Sequence, residues 1–163
     1  MSHGPVTLNF ASTDDTDRSD RSFPYTVTHL ELTRSDAASN KTIRVIEQRG
    51  RWNEEKDVPR SARDFVAFVR ESCVSDATGG VVVSCVNGVC RSGLFLAVLA
   101  MVREEKKEGG SSNNSNSSSP YDVVFGLRKR RPGLVRKRII QDPHERALMY
   151  VLKETLRIIA SEK

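Results

Sequence analysis

The segment from Val81 to Met101, "VVVSCVNGVCRSGLFLAVLAM", contains residue types that could bind a phosphate group and attack it. Cys85 ends a run of β-branched residues, and Arg91 and Ser92 precede a glycine and an apolar stretch. If a helix begins there, its first backbone N–H groups converge on one point, where they bind a dianion and lower the pKa of a nearby thiol. The spacing therefore predicts Cys85 as a nucleophile, with the planar guanidinium of Arg91 holding two phosphoryl oxygens.

The backbone between Cys85 and Arg91 would form the phosphate-binding nest, and the Ser92 hydroxyl could donate a hydrogen bond to the cysteine sulfur as it leaves in a second, hydrolytic step. The nest residues are Val86, Asn87, Gly88, Val89 and Cys90. The alternative is that Cys85 is a small buried core residue and that Arg91 only caps a surface helix. Cys73 and Cys90 have no arginine at this spacing, which favours Cys85 as the reactive thiol.

Hydrophobic periodicity and turn residues predict the elements that would hold this loop. The predicted strands cover residues 6–10, 25–32 and 41–48, with a further buried strand from residue 81 to the cysteine. The predicted helices cover residues 62–72, 92–108, 121–130 and 143–160. Ser61 is the predicted cap of the first helix, whose buried face is formed by Phe65, Val66, Phe68 and Val69. This order predicts a single α/β or α+β domain over residues 1–163, with a mixed sheet flanked by helices and crossover packing.

Composition limits the class of protein. Charged residues make up 29% of the 163 positions and hydrophobic residues 37%, as is typical of a soluble globular chain, and residues 109–120 form a flexible Ser- and Asn-rich insert. The sequence has no stretch of membrane-spanning length and no signal peptide, so we expect a cytoplasmic protein. Three cysteines argue against a disulfide framework, and the net charge of +5 favours an anionic partner.

The loop sequence "SCVNGVCRSG" resembles the phosphate-binding loop of the protein tyrosine phosphatases. The segment "IRVIEQRGRWNEEKDVPRSARDFVAFV" is similar to the stretch that contains the mobile Trp-Pro-Asp loop of that family. "YDVVFGLRKRRPGLV" and "ERALMYVLKETL" resemble the segments that follow the phosphate-binding loop. These matches run from about Val6 to the end and correspond to the latter half of the catalytic domain, so we expect a partial domain of this fold.

The resemblance implies hydrolysis of phosphotyrosine in proteins through a cysteinyl-phosphate intermediate. It implies roles for Cys85, Arg91 and Ser92 as nucleophile, phosphate clamp and assisting hydroxyl. The reaction that the resemblance implies requires no metal and no other cofactor. The expected partner is a phosphotyrosine protein or peptide, and no nucleic acid is expected, because aromatic residues do not alternate with the basic ones.

This sequence departs from the family pattern where an acid protonates the leaving phenol. The family has an aspartic acid there, and the resemblance puts Glu55 or Glu54 in its place, in a loop one residue longer. A shifted proton donor can cost about 100-fold in rate for about 1 Å of misplacement. The alternative is that both glutamates belong to an ordinary solvated loop.

The loop and the segment after it also depart from the family. Ser84 replaces the histidine that opens the family's loop, and Cys90 replaces a glycine, adding a Cβ where backbone must approach phosphate. The family also has a glutamine that positions the attacking water. If this sequence is aligned without a gap, Arg136 takes its place. If "RKRII" is an insertion, Gln141 takes its place and Glu145 that of a second glutamine. We favour Gln141; the alternative is a simple helix-entry residue.

Such departures resemble the second phosphatase domains of receptor-type enzymes, which commonly regulate or scaffold with little activity. An alternative function is therefore an inactive pseudophosphatase that binds a phosphorylated ligand or another phosphatase domain of the same or a related chain, in the intracellular part of a membrane receptor. The basic run over residues 128–138 is either an anion-binding surface or a solvated helix end. Cys90 could also capture an oxidised Cys85 as a disulfide.

Overall fold

The computed structural model describes most of the chain, in nine ranges. They are residues 6–14, 23–34, 41–48, 52–53, 58–73, 80–86, 88–108, 119–134 and 143–162. The chain forms two compact units, Met1–Arg51 and Trp52–Lys163. Helices and strands both contribute, as the α/β and α+β prediction requires, and the strands of each described sheet are antiparallel.

The first unit is a three-stranded antiparallel sheet of β1 (Val6–Asp14), β2 (Tyr25–Arg34) and β3 (Lys41–Gln48), with β2 in the centre. Leu8 and Phe10 of β1 lie opposite Leu32 and Leu30 of β2, so their side chains share one face of the sheet. Beyond a register shift after Phe10, β1 continues to Asp14. The three strands predicted for residues 6–10, 25–32 and 41–48 are confirmed. The first is longer than expected, because pairing with β2 carries it into the acidic stretch that the sequence predicts as a connection.

The second unit begins with a two-stranded antiparallel ribbon of β4 (Trp52–Asn53) and β5 (Val58–Pro59). Four helices follow, α1 (Ala62–Cys73), α2 (Cys90–Glu108), α3 (Pro120–Arg130) and α4 (Pro143–Ser161). Helices α2 and α4 each contact the other three helices. Among the described residues, no helix is both long and apolar enough to cross a bilayer.

Local signals set the helix ends much as the sequence predicts. The Ser61 hydroxyl accepts a hydrogen bond from the Asp64 backbone N–H at 3.3 Å, which confirms the predicted cap of α1. At the start of α3, Ser119 and Asp122 exchange side-chain and backbone hydrogen bonds in a capping box. Ser119 and Pro120 therefore belong to the start of α3 rather than to the predicted insert, whose other residues lie outside the described ranges.

The core of the second unit forms where α1 meets α2. The four predicted residues of the apolar face of α1, Phe65, Val66, Phe68 and Val69, are all buried. The ring centroid of Phe65 lies 5.6 Å from that of Trp52 and 6.4 Å from that of Phe95, both edge-on. Buried residues of α2 and α4, including Leu94 and Leu152, complete this core. The start of α2 therefore rests on a packed apolar layer.

The predicted buried strand before Cys85 is wrong in this structure. Residues 80–85 have no assigned strand, and the side chains of Val81 and Val82 are exposed. A buried strand needs hydrogen-bonded neighbours, and none of the described strands pairs with this segment. The β-branched composition alone therefore predicts an extended backbone but does not predict its burial.

Candidate active site

The loop between Cys85 and α2 is a tight turn followed directly by a helix N-terminus. The Gly88 N–H donates to the Cys85 carbonyl at 3.0 Å, and the Gly93 N–H donates to the Val89 carbonyl at 3.2 Å. Gly88 has a φ of 59°, in the left-handed region that glycine adopts without a steric penalty. This turn reverses the chain within a few residues and brings the first N–H groups of the helix back towards the cysteine.

The groups around this turn change the acidity of the Cys85 thiol. Burial alone would raise the pKa of this thiol, but the Ser92 side chain and the backbone N–H groups of Ser92, Val89 and Gly88 lower it, and the net pKa lies below the ordinary value. Each donor stabilises the thiolate, which accepts hydrogen bonds better than the neutral thiol does. The arrangement therefore favours a charged, nucleophilic sulfur.

The Ser92 hydroxyl is held inside the site. Ser92 is 3% exposed, and within the described ranges its Oγ makes no hydrogen bond of ordinary geometry. It is nevertheless close enough to Cys85 to lower the thiol pKa. We assign the hydroxyl as a donor to the thiolate, because a hydroxyl hydrogen rotates to the acceptor available. A buried, otherwise unpartnered hydroxyl beside the cysteine indicates a site that takes an anion.

Arg91 lies on an aromatic ring at the start of α2. Its guanidinium carbon is 5.1 Å from the ring centroid of Trp52, within the range of a cation–π contact. Trp52 in turn packs edge-on against Phe65 of α1. Arg91, the predicted phosphate clamp, is thus stacked on Trp52, which lies in the segment that resembles the family's mobile loop.

A second arginine approaches the same loop, and the sequence reasoning missed it. A Cβ built on Gly88 would lie 3.1 Å from a terminal nitrogen of the Arg131 guanidinium, and the three atoms nearest to that point all belong to Arg131. Arg131 caps the C-terminus of α3, where its backbone N–H donates to the Leu127 carbonyl at 3.0 Å. The available signal is the "LRKRRPG" segment, which the sequence predicts as either an anion-binding surface or a solvated helix end.

The structure brings together part of the predicted site. Cys85, Gly88, Val89, Arg91 and Ser92 form the loop, Val86 is fully exposed at its tip, and Cys90 is the half-buried first residue of α2. The predicted Glu54, Glu55, Asn87 and Gln141 lie outside the described residues, as does Arg136. The three cysteines are free thiols.

Other features of the second unit do not add to this site. A groove of about 310 Å³ lies on α3 and α4, lined by Tyr121, Asp122, Val124, Phe125, Arg128 and Met149, and it includes no residue of the loop. The loop, and not this groove, holds the Cys85 thiol and the groups that lower its pKa. Within the described ranges, no three His, Cys, Asp or Glu side chains are grouped as metal ligands.

Comparison with known families gives one match over most of the chain. The family model described as protein-tyrosine phosphatase matches residues 1–140. No curated protein sequence matches the chain.

Solved structures give matches of the same kind. The catalytic domain of human protein tyrosine phosphatase non-receptor type 18 is 17% identical, with a TM-score of 0.67 over 98% of this chain and 50% of that one. A Trypanosoma cruzi protein tyrosine phosphatase is 21% identical, with a TM-score of 0.65 over 96% of this chain and 47% of that one. A third structure, of the type 18 enzyme in complex with HER2 phosphopeptides, is 17% identical, with a TM-score of 0.66 over 96% of this chain and 53% of that one. These similarities show the fold, and the chain spans about half the length of each.

Proposed function

Because the chain belongs to the protein tyrosine phosphatase family, we propose that its loop of residues 85–92 binds the phosphate of phosphotyrosine in proteins and hydrolyses it. The observation that carries this proposal is the tight turn from Cys85 through Gly88 into the N-terminus of α2, where the buried Ser92 hydroxyl has no partner among the described residues. The donors of this turn lower the pKa of Cys85. The same donors that favour a thiolate would hold the oxygens of a bound dianion.

The proposed reaction has two steps. The Cys85 thiolate attacks phosphorus, a sulfur–phosphorus bond forms, and the bond from phosphorus to the phenolic oxygen breaks. The leaving phenolate takes a proton from a general acid, for which Glu55 or Glu54 is the candidate. The carboxylate left by that acid then takes a proton from water, which Gln141 positions in this proposal. The water oxygen bonds to phosphorus as the sulfur–phosphorus bond breaks, so phosphate is released and the Cys85 thiolate is restored.

Arg91 and Ser92 would serve different steps of this cycle. The guanidinium of Arg91 would move off the Trp52 ring, or stay in contact with it, while it binds two phosphoryl oxygens. The planar guanidinium of arginine fits two oxygens better than the ammonium of lysine does. The Ser92 hydroxyl would stabilise the sulfur as it leaves in the second step. Because Ser92 is buried next to Cys85, this donor is already in place before a substrate binds.

The proposed partner is a phosphotyrosine peptide or protein. The structure of the type 18 phosphatase in complex with HER2 phosphopeptides supports this choice, because it shares the fold of this chain. The fully exposed Val86 at the tip of the loop supports it as well, since the loop is open to a macromolecular ligand on that side.

A second candidate function is a cytoplasmic pseudophosphatase that binds a phosphorylated ligand, or another phosphatase domain, without turnover. The observation that favours it is Cys90, which begins α2 directly before Arg91 where the family has glycine. Its Cβ narrows the space in which backbone approaches phosphate. Binding would survive a small displacement of the phosphate, whereas in-line attack would not.

Hydrolysis of p-nitrophenyl phosphate by the purified chain separates the two functions, with Cys85→Ser and Glu55→Gln measured beside it. Turnover that Cys85→Ser abolishes supports the enzyme, and a lower rate in Glu55→Gln assigns the acid to that residue. Absence of turnover, with thermal stabilisation by vanadate that Arg91→Ala removes, supports the pseudophosphatase. Absence of both turnover and stabilisation contradicts phosphate binding at this loop.

A further inference from the structure

A second positive charge lies at the rim of the phosphate-binding loop, on an element outside the loop. Arg131 belongs to the end of α3, and its guanidinium lies over the Cα side of Gly88. Glycine is required at position 88 by its φ of 59°, and the absent side chain also leaves the space that the guanidinium occupies.

The backbone of α3 holds Arg131 in this position. The Arg131 N–H donates to the Leu127 carbonyl at 3.0 Å, and the Arg131 carbonyl accepts from the Leu134 N–H at 3.1 Å. In the same turn, Arg128 Nε donates to the Leu134 carbonyl at 3.3 Å. These bonds fix the end of α3, from which the side chain of residue 131 reaches the loop.

Among the described residues, no Asp or Glu forms an ion pair with the guanidinium of Arg131, and the residue is exposed. Lys129, two residues earlier, lies 4.6 Å from the ring centroid of Phe125. Among the described cations of this basic run, Arg131 is therefore the one that the structure brings to Gly88.

The loop itself is a site for an anion on independent grounds. The chain turns at Gly88 and runs directly into the N-terminus of α2, and the buried Ser92 hydroxyl there has no hydrogen-bond partner among the described residues. An unpaired guanidinium at the edge of this nest adds to the positive potential that a dianion meets.

We propose that Arg131 is a second cation of the phosphate-binding site, which strengthens anion binding at the loop through its charge rather than through its packing on Gly88. The inference rests on the proposed phosphate site and deepens it. It assigns to one arginine of the basic run an electrostatic role in the site.

Calorimetric titration of the full chain with inorganic tungstate tests this role. Arg131→Met removes the charge and keeps a long side chain, whereas Arg131→Lys keeps the charge. Arg130→Met is the matched control, because it removes the same charge from the preceding, exposed residue. Thermal melts of all variants check that each is folded.

We expect Arg131→Met to weaken tungstate binding roughly three- to tenfold at low salt, the effect of one partly screened charge, and to lose most of this difference at 1 M salt. Arg131→Lys and Arg130→Met should bind within about twofold of the wild type. Equal weakening by Arg131→Met and Arg130→Met overturns the inference, as does an Arg131→Lys variant as weak as Arg131→Met. A wild type that binds no tungstate overturns the proposed phosphate site and this inference with it.

Discussion

The two sides of the loop that contains Cys85 are built very differently. On the side before Cys85, Val82 is 95% exposed and no described strand pairs with the segment. On the side after it, Ser92 is 3% exposed and Leu94 is fully buried in the first turns of α2. The donors to the sulfur come from residues 88, 89 and 92, on the later side. The turn after Cys85 and the first turn of α2 therefore hold the cysteine, and substitutions there should matter far more than those before it.

The largest difference is expected in stability. Leu94→Ala should lower the free energy of unfolding by about 2–5 kcal/mol, because it leaves a cavity between α2 and the aromatic layer. Val82→Ala, on the exposed side, should change it by no more than about 0.5 kcal/mol. Urea unfolding of both variants measures the difference, and equal losses would contradict the asymmetry of the two sides.

Gly80 before Cys85 and Gly88 after it allow the two sides of the loop to be compared at the backbone. Gly88→Ala should cost about 1–2 kcal/mol, because alanine at a left-handed φ is strained. The new Cβ would also lie 3.1 Å from Arg131. Gly80→Ala has no atom within 4 Å of its Cβ, so it should leave stability unchanged or raise it by up to about 1 kcal/mol. Thermal melts of both variants provide the measurement, and a Gly80→Ala variant as destabilised as Gly88→Ala would refute this account.

Ser84 precedes Cys85 and Ser92 follows it, so their alanine variants compare the chemistry of the two sides of the loop. Ser92→Ala removes a buried donor and should slow alkylation of Cys85 by iodoacetamide at neutral pH about threefold, the value of one partly screened hydrogen bond to a thiolate. Ser84→Ala removes an exposed hydroxyl and should leave the rate unchanged. Peptide mass spectrometry after a timed reaction gives both rates. The prediction is wrong if the two variants react alike.

Elements with a local cause were predictable from the sequence, and elements with a distant cause were not. Helix α1 follows from its apolar face and from the Ser61 cap, and β3 from its alternating, β-branched residues, because each signal lies within or next to the element itself. The exposure of Val81 and Val82 depends on which strand pairs with them, and the contact of Arg131 with Gly88 depends on how α3 packs on α2. No local pattern contains either fact.

The features of the candidate site can also be divided into those with a local cause and those with a distant one. The placement of Cys85, Arg91 and Ser92 around the start of one helix was predictable, because consecutive residues form it. Their roles in binding and hydrolysing phosphate stay predictions. Stacking of Arg91 on Trp52 joins residues about forty positions apart, and spacing alone gives no sign of it. The family resemblance supplied Trp52 as a loop residue, but not this contact.

The smallest effect is the dependence of stability on pH. Folding lowers the pKa of Cys85, so between the lowered value and the ordinary thiol value the unfolded chain binds more protons than the folded one. The free energy of unfolding should therefore rise with pH across this window and level off above the ordinary pKa. The slope of the wild type minus that of Cys85→Ser, from urea unfolding at several pH values, isolates this residue. A difference of zero or of opposite sign contradicts the lowered pKa.

The most direct test of the central claim is the pH profile of Cys85 alkylation in the folded chain, compared with the same residue in urea. Because the loop donors stabilise the thiolate, the midpoint of the folded chain should lie below that of the unfolded chain, and Ser92→Ala should move it upwards. A folded midpoint equal to or above the unfolded one would show that the loop does not activate Cys85, and the proposed nucleophile would have to be abandoned.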